Sequence, residues 1–153
     1  MLAMKVGRDV FDYINSMRNP AVKQKTKKRI QEYNVNPNIV ESFERVEEKI
    51  FFVIISAEWS SEGQTCISSI AKLLTSTNNA NLVAKVLDYN RNQDIVEELR
   101  VRRPPTVIVY DRQQHELGRY VQDTSRFSTV EEEILDILRR ANKISYSETL
   151  RFG

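Results

Sequence analysis

Along the chain the hydrophobic positions first keep a helical period and then, near residue 49, change it. In "VGRDVFDYINSM", Val6, Val10, Phe11, Ile14 and Met17 share one face of a 3.6-residue repeat, which predicts one helix. "RNP" ends it, and "AVKQKTKKRIQEYN" predicts a second helix with Pro20 in its first turn. After "NVNPN" comes "NIVESFERVEEK", a third helix with Ile39, Val40, Phe43 and Val46 inward, capped by Asn38 with Glu41 three residues on. From Lys49 the period is different. "IFFVIIS" is apolar on both faces, as a strand between two covering layers must be. "SSEGQTCISSIAKLLTST" returns to a helix with Cys66, Ile67, Ile70, Leu73 and Leu74 inward. "NLVAKVLDYN" reads as a strand, "NQDIVEELRV" as a short helix, and "TVIVYD" with "LGRYVQD" as an antiparallel hairpin. "STVEEEILDILRRANK" is a closing helix, with Ser128 as cap and Glu131 at the third position.

The order β-α-β-α-β-β-α from residue 49 predicts an α/β fold: a three-layer sandwich around a mixed sheet of about four strands. We expect residues 1–48 to be a helical extension packed on this core, 49–143 the α/β domain, and 144–153 a tail. The tail, "ISYSETLRFG", has no period and reads as loose or as a strap.

Composition narrows the possible functions. With 41% apolar and 29% charged residues in 153, the chain can bury a core as a soluble globular protein. Its longest apolar run, Ile50–Ile55, is far short of a membrane span, and Lys5, Arg8 and Asp9 interrupt any signal-peptide core. A cytoplasmic location is expected. A net charge of +2 argues against nucleic acid as a partner, since a phosphate backbone rewards a clear excess of cations. One cysteine and one histidine leave no zinc-ligand spacing, so neither metal nor cofactor is expected.

Candidate chemistry gathers at "SAEWSSEGQTC", Ser56 to Cys66. The run "FFVIISAEWSSEGQTCISSIAKLL" resembles the first strand and active-site helix of the thioredoxin superfamily, whose members place Cys-x-x-Cys directly after Ala-Glu-Trp. "AKVLDYNRNQDIVEELRVRRPPTVIVYD" resembles the next strand, helix and proline loop, with Lys85 and Asp88 at familiar places, and "HELGRYVQD" resembles the closing strand. The resemblance covers residues 49–143 and is most similar to a prokaryotic thioredoxin-like branch with helices before the first strand. It implies a thioredoxin-like sandwich and a cis bond before Pro105.

The departures are chemical. The two cysteine positions hold Ser60 and Gly63, the buried acid of the family's first strand is replaced by Ile54, and the glycine late in the last strand is replaced within "RYVQ". Thiol exchange needs a low-pKa thiolate and a second thiol to resolve the mixed disulfide. A single cysteine excludes dithiol–disulfide cycling within the chain whatever the resemblance.

The remaining groups give these expectations. Cys66 reads as a small core residue, with the alternative of a monothiol forming mixed disulfides with a partner or glutathione. Ser60 and Ser61 read as caps of the helix, Ser61 with Gln64 as a capping box, and His115 reads as an exposed turn residue without an acid partner. The resemblance implies that Pro104, Pro105 and Thr106 face the former motif and offer a backbone edge to an extended peptide, a role that needs no cysteine. With Trp59, Ser60 and Ser61, this loop makes the expected site for a protein or peptide. Arg100, Arg102 and Arg103 are an alternative anion or nucleotide site. "KQKTKKR", Lys23 to Arg29, reads as the outer face of a helix.

Overall fold

Ile50–Ser56 is the middle of the sheet because nothing in it can face water: six of its seven residues are buried. The computed structural model describes residues 1–144. In chain order these form α1 (Leu2–Val6), β1 (Arg8–Asp9), α2 (Val10–Asn15), α3 (Pro20–Glu32), α4 (Pro37–Glu44), β2 (Ile50–Ser56), α5 (Ser61–Ser76), β3 (Leu82–Asp88), α6 (Gln93–Glu98), β4 (Thr106–Tyr110), β5 (Glu116–Val121), a 3-10 turn (Gln122–Thr124) and α7 (Val130–Arg140). The strands lie in the order β1-β3-β2-β4-β5. β2 and β3 are parallel, with Phe52 opposite Ala84 and Ser56 opposite Asp88. β4 runs antiparallel to β2, with Ile55 opposite Thr106, and β5 antiparallel to β4.

Side chains alternate across β2, so each face meets its own layer. Ile50, Phe52 and Ile54 join the larger core, with Ile67 and Ile70 of α5 and Ile134 and Leu138 of α7. Val53 and Ile55 join the smaller core, with Ala3 of α1 and Ile95 and Val96 of α6. The expected sandwich is present, with five strands among the described residues rather than about four.

The extra strand is the main correction. The single helix expected from Val6 to Met17 is split by Gly7, Arg8 and Asp9. Arg8 and Asp9 pair antiparallel with Val86 and Lys85, covering what would be an open edge of β3. Asp9 then restarts the helix, its carboxylate accepting the N–H groups of Phe11 and Asp12. Val10, Ile14 and Met17 are buried as the period requires, but Val6 and Phe11 are exposed.

Three caps move by one or two residues. Asn36, not Asn38, caps α4, because Pro37 takes the first helical position, where its missing N–H costs nothing. Of the two serines expected to cap α5, Ser60 does so rather than Ser61 of the capping box, accepting the Gly63 N–H at 2.9 Å. Thr129, not Ser128, caps α7, accepting the Glu132 N–H at 3.2 Å, while both hydroxyls bond the Glu132 carboxylate. Glu131, one residue before that carboxylate, shares the face of Ile134, Leu135 and Leu138 and is 1% exposed. Of the tail expected at 144–153, Ile144 bridges to Val46; the rest lies outside the described residues.

Candidate functional site

At the C-terminal end of β2 the chain leaves Ser56, turns through Ala57, Glu58 and Trp59, and enters α5 under the Ser60 cap. Ser60 and Gly63 are both buried. The Ser60 hydroxyl is occupied as the cap acceptor, and a Cβ built on Gly63 would overlap the Ser56 Oγ. That Ser56 hydroxyl is itself buried without a partner. The former motif is therefore filled by backbone and two serines, with no room at Gly63 for a side chain.

The proline loop stands beside it. Pro104-Pro105 is a cis bond, and the register that sets Thr106 against Ile55 brings Pro105 alongside Ser56. Pro104, Pro105 and Thr106 are all buried, and the Thr106 hydroxyl donates to the Arg103 carbonyl at 3.0 Å. Two prolines in succession remove two N–H donors, so this edge can offer a peptide carbonyls only. Arg100, Arg102 and Arg103 are exposed on the approach to the loop. Arg103 is ion-paired with Asp123, and the Arg102 carbonyl accepts the Tyr89 hydroxyl at 3.0 Å.

Trp59 is different from everything around it. It is 66% exposed, and its Nε1 donates to Asn90 Oδ1 at 2.7 Å. Asn90 is held in turn by Asp88, whose Oδ1 accepts the N–H groups of Asn90 and Arg91 at 2.9 Å. The indole is thus fixed in the open by a polar turn after β3. A cavity of about 570 Å3 beside it is lined by Val22, Lys25, Ser61 and Gln64, among others.

Cys66 lies under α5 and is 4% exposed. Burial, then the nearby Glu131 charge, push its thiol up to about 12, against a smaller downward pull from Arg29. Both leading effects oppose the thiolate that exchange chemistry needs. Around it a network ties three helices. Arg29 of α3 donates to Ser68 Oγ at 2.5 Å, Ser69 Oγ at 3.0 Å and the Thr65 carbonyl at 3.0 Å, and stacks 4.4 Å from the Tyr33 ring. The Tyr33 hydroxyl donates to Glu131 Oε2 at 2.5 Å, while Glu131 Oε1 is buried without a partner. Arg29 therefore does not belong to an outer helix face. The signal was present in the spacing, since Val22, Thr26, Arg29 and Tyr33 share one helical face.

His115 does have an acid beside it: Asp111 Oδ2 stands 3.7 Å from its Nδ1. The histidine is an exposed turn residue as expected, with 79% of its side chain exposed. It cannot serve Ser60, because β4 places its turn at the far end of the sheet, beyond Tyr110 opposite Phe51. Asp111 instead organises the turn, accepting the Gln113 and His115 N–H groups at 2.9 Å, which hold its carboxyl below the usual carboxylate range.

Among the described residues no His, Cys, Asp and Glu cluster could hold a metal, and no helix is long and apolar enough to cross a membrane. A family profile described as thioredoxin matches residues 7–135. No curated protein matches. Among solved structures, a protein of unknown function from Pseudomonas aeruginosa superposes with TM-score 0.76 at 15% identity, over 91% of this chain and 96% of that one. An HIV epitope scaffold superposes with TM-score 0.74 at 15% identity, over the same shares of 91% and 96%. A mutant thioredoxin from Halobacterium salinarum superposes with TM-score 0.49 at 13% identity, over 70% of this chain and 85% of that one.

Proposed function

The chain belongs to a thioredoxin family, and from that premise we propose that it works without thiol chemistry, as a module binding a protein or peptide segment beside the former active-site motif. Trp59 carries this reading. An indole fixed two-thirds in the open, at the place where the family keeps its reactive pair, is a contact group. Large rigid aromatics supply much apolar contact for little lost entropy, and they dominate measured interfaces.

Several features agree with this. The lone cysteine is sealed, so the rim has no sulfur to react. Pro104 and Pro105 have no N–H to donate, which limits strand pairing there and leaves side-chain contact as the main source of affinity. The neighbouring cavity mixes Val22 with Lys25, Ser61 and Gln64, which suits an apolar side chain flanked by polar main chain. A cytoplasmic setting fits the same reading, since a chain with one thiol draws nothing from an oxidising compartment.

The test is selection of peptides from a random display library against the full chain, followed by anisotropy titration of the selected sequences. Trp59→Ala should weaken them by about 2 kcal/mol or more. Peptides that bind Trp59→Ala as tightly as wild type would move the site elsewhere. Dithiothreitol-driven reduction of insulin should proceed no faster with the protein than without it; turnover would end the non-catalytic reading.

A further inference from the structure

Trp59 and Glu58 also border a second cavity, of about 520 Å3, which faces α2 and the turn after β3. Three arginines reach it from separate parts of the chain: Arg8 on β1, Arg18 after α2 and Arg91 after Asp88. Arg8 donates through Nη1 to Ser16 Oγ at 2.7 Å. Among the described residues no carboxylate lies within ion-pair distance of any of the three. Tyr13 of α2 lines the same cavity; it is 7% exposed, and its hydroxyl is buried with no partner. A buried hydroxyl left unmatched is costly, and native structures seldom keep one without a use.

Two carboxylates border the cavity as well, each with one oxygen already bonded to backbone N–H groups. Asp88 Oδ1 accepts two backbone N–H groups, and Glu58 Oε1 accepts the Arg18 N–H at 2.7 Å. Burial, with Asp88 and Glu58 adding to it, raises the Tyr13 phenol to about 12, so it stays protonated and able to donate. Three guanidiniums against two carboxylates leave the lining with a surplus of positive charge, beside a phenol hydroxyl without a partner.

We propose that this cavity binds the oxyanion group of a small ligand, a phosphate or a carboxylate, with Arg18 and Arg91 as its forks and the Tyr13 hydroxyl as a further donor. The site is separate from the Arg100–Arg103 cluster and does not depend on peptide binding.

Trp59 is the only tryptophan and borders the cavity, so its emission reports occupancy. The full chain is titrated with inorganic phosphate and, separately, acetate, at constant ionic strength set with sodium chloride. A saturable change is expected with at least one. Tighter phosphate identifies a phosphoryl ligand, tighter acetate a carboxylate. Arg18→Gln and Arg91→Gln should each weaken the preferred anion about tenfold, as loss of a charge-assisted bond does, while Arg126→Gln changes nothing. Tyr13→Phe should weaken it too, with its melting curve read alongside; if that variant does not fold, the arginine pair decides. An unsaturable response, or equal affinity in the arginine variants and wild type, overturns the proposal.

Discussion

Trp59 precedes the cap of α5 and Cys66 lies in its second turn, and the two have met opposite fates. The tryptophan is held out by a hydrogen bond to Asn90, in a rim that mixes arginines, carboxylates and amides. The cysteine is buried, and burial with the Glu131 charge opposes its ionisation more than Arg29 favours it. In a working thiol oxidoreductase the reactive group and the partner-facing surface coincide. In this chain the exposed group at that end of the sheet is an indole, and the one sulfur is buried in the packing.

The largest effect expected of this contrast is kinetic. With the Cys66 thiol raised from 9.0 to about 12, its labelling at pH 8 by a thiol reagent should be slower in the folded chain than in urea by at least about a hundredfold. Comparable rates would erase the distinction between interior and rim.

Next comes the network that seals it. Tyr33→Phe leaves both Glu131 oxygens without a partner in a site that is 1% exposed, and should cost about 2–3 kcal/mol in urea unfolding. Adding Glu131→Leu should restore most of that, because a missing pair is cheaper than half of one. No recovery would mean that the network is incidental to the packing.

The former motif can be opened on purpose. Gly63→Ala should destabilise by about 1–3 kcal/mol through overlap with Ser56, and much less in a Ser56→Ala background. It follows that Ser60→Cys with Gly63→Cys should close into a disulfide efficiently only when Ser56→Ala is included. Equal oxidation with and without it would show that the overlap is easily relieved.

Alkaline pH reads the interior as a whole. Burial raises Cys66 from 9.0, and Tyr13, Tyr33, Tyr110 and Tyr120 from 10.0, each to about 12. Above their ordinary values the unfolded chain releases these protons first. Stability is therefore complete below about pH 9 and is lost as the pH climbs towards 12. A melting temperature flat from pH 8 to 11 would contradict this. The smallest effect belongs to the rim: Trp59→Ala should change folding stability by less than about 0.5 kcal/mol, since an indole so exposed buries little.

Much of this architecture was legible before any coordinates. A short apolar run rich in β-branched and aromatic residues, such as "IFFVIIS", reads as a strand covered on both faces, and the single cysteine rules out a dithiol cycle by counting alone. The site was legible in part. Trp59, Ser60, Gly63 and Pro105 were placed by resemblance, but exposure could not be read from identity, and only Trp59 and Ser61 of the expected contact residues face solvent, the serine at its neighbour's cap. Glu131, expected at a capping box, lies inside instead, on the helical face it shares with Ile134, Leu135 and Leu138.

Local order decides which faces are apolar, because periodicity is a property of adjacent residues; that much this chain's sequence settled alone. Tertiary structure decided what meets what. β1 has two residues, too few for a period, and exists because the edge of β3 needed a partner. The arginine cavity draws on residues 8–18, 57–59 and 86–92, which no window along the chain brings together. Convergence of that kind depends on where the chain reverses, and the reversals are fixed only once the sheet has formed.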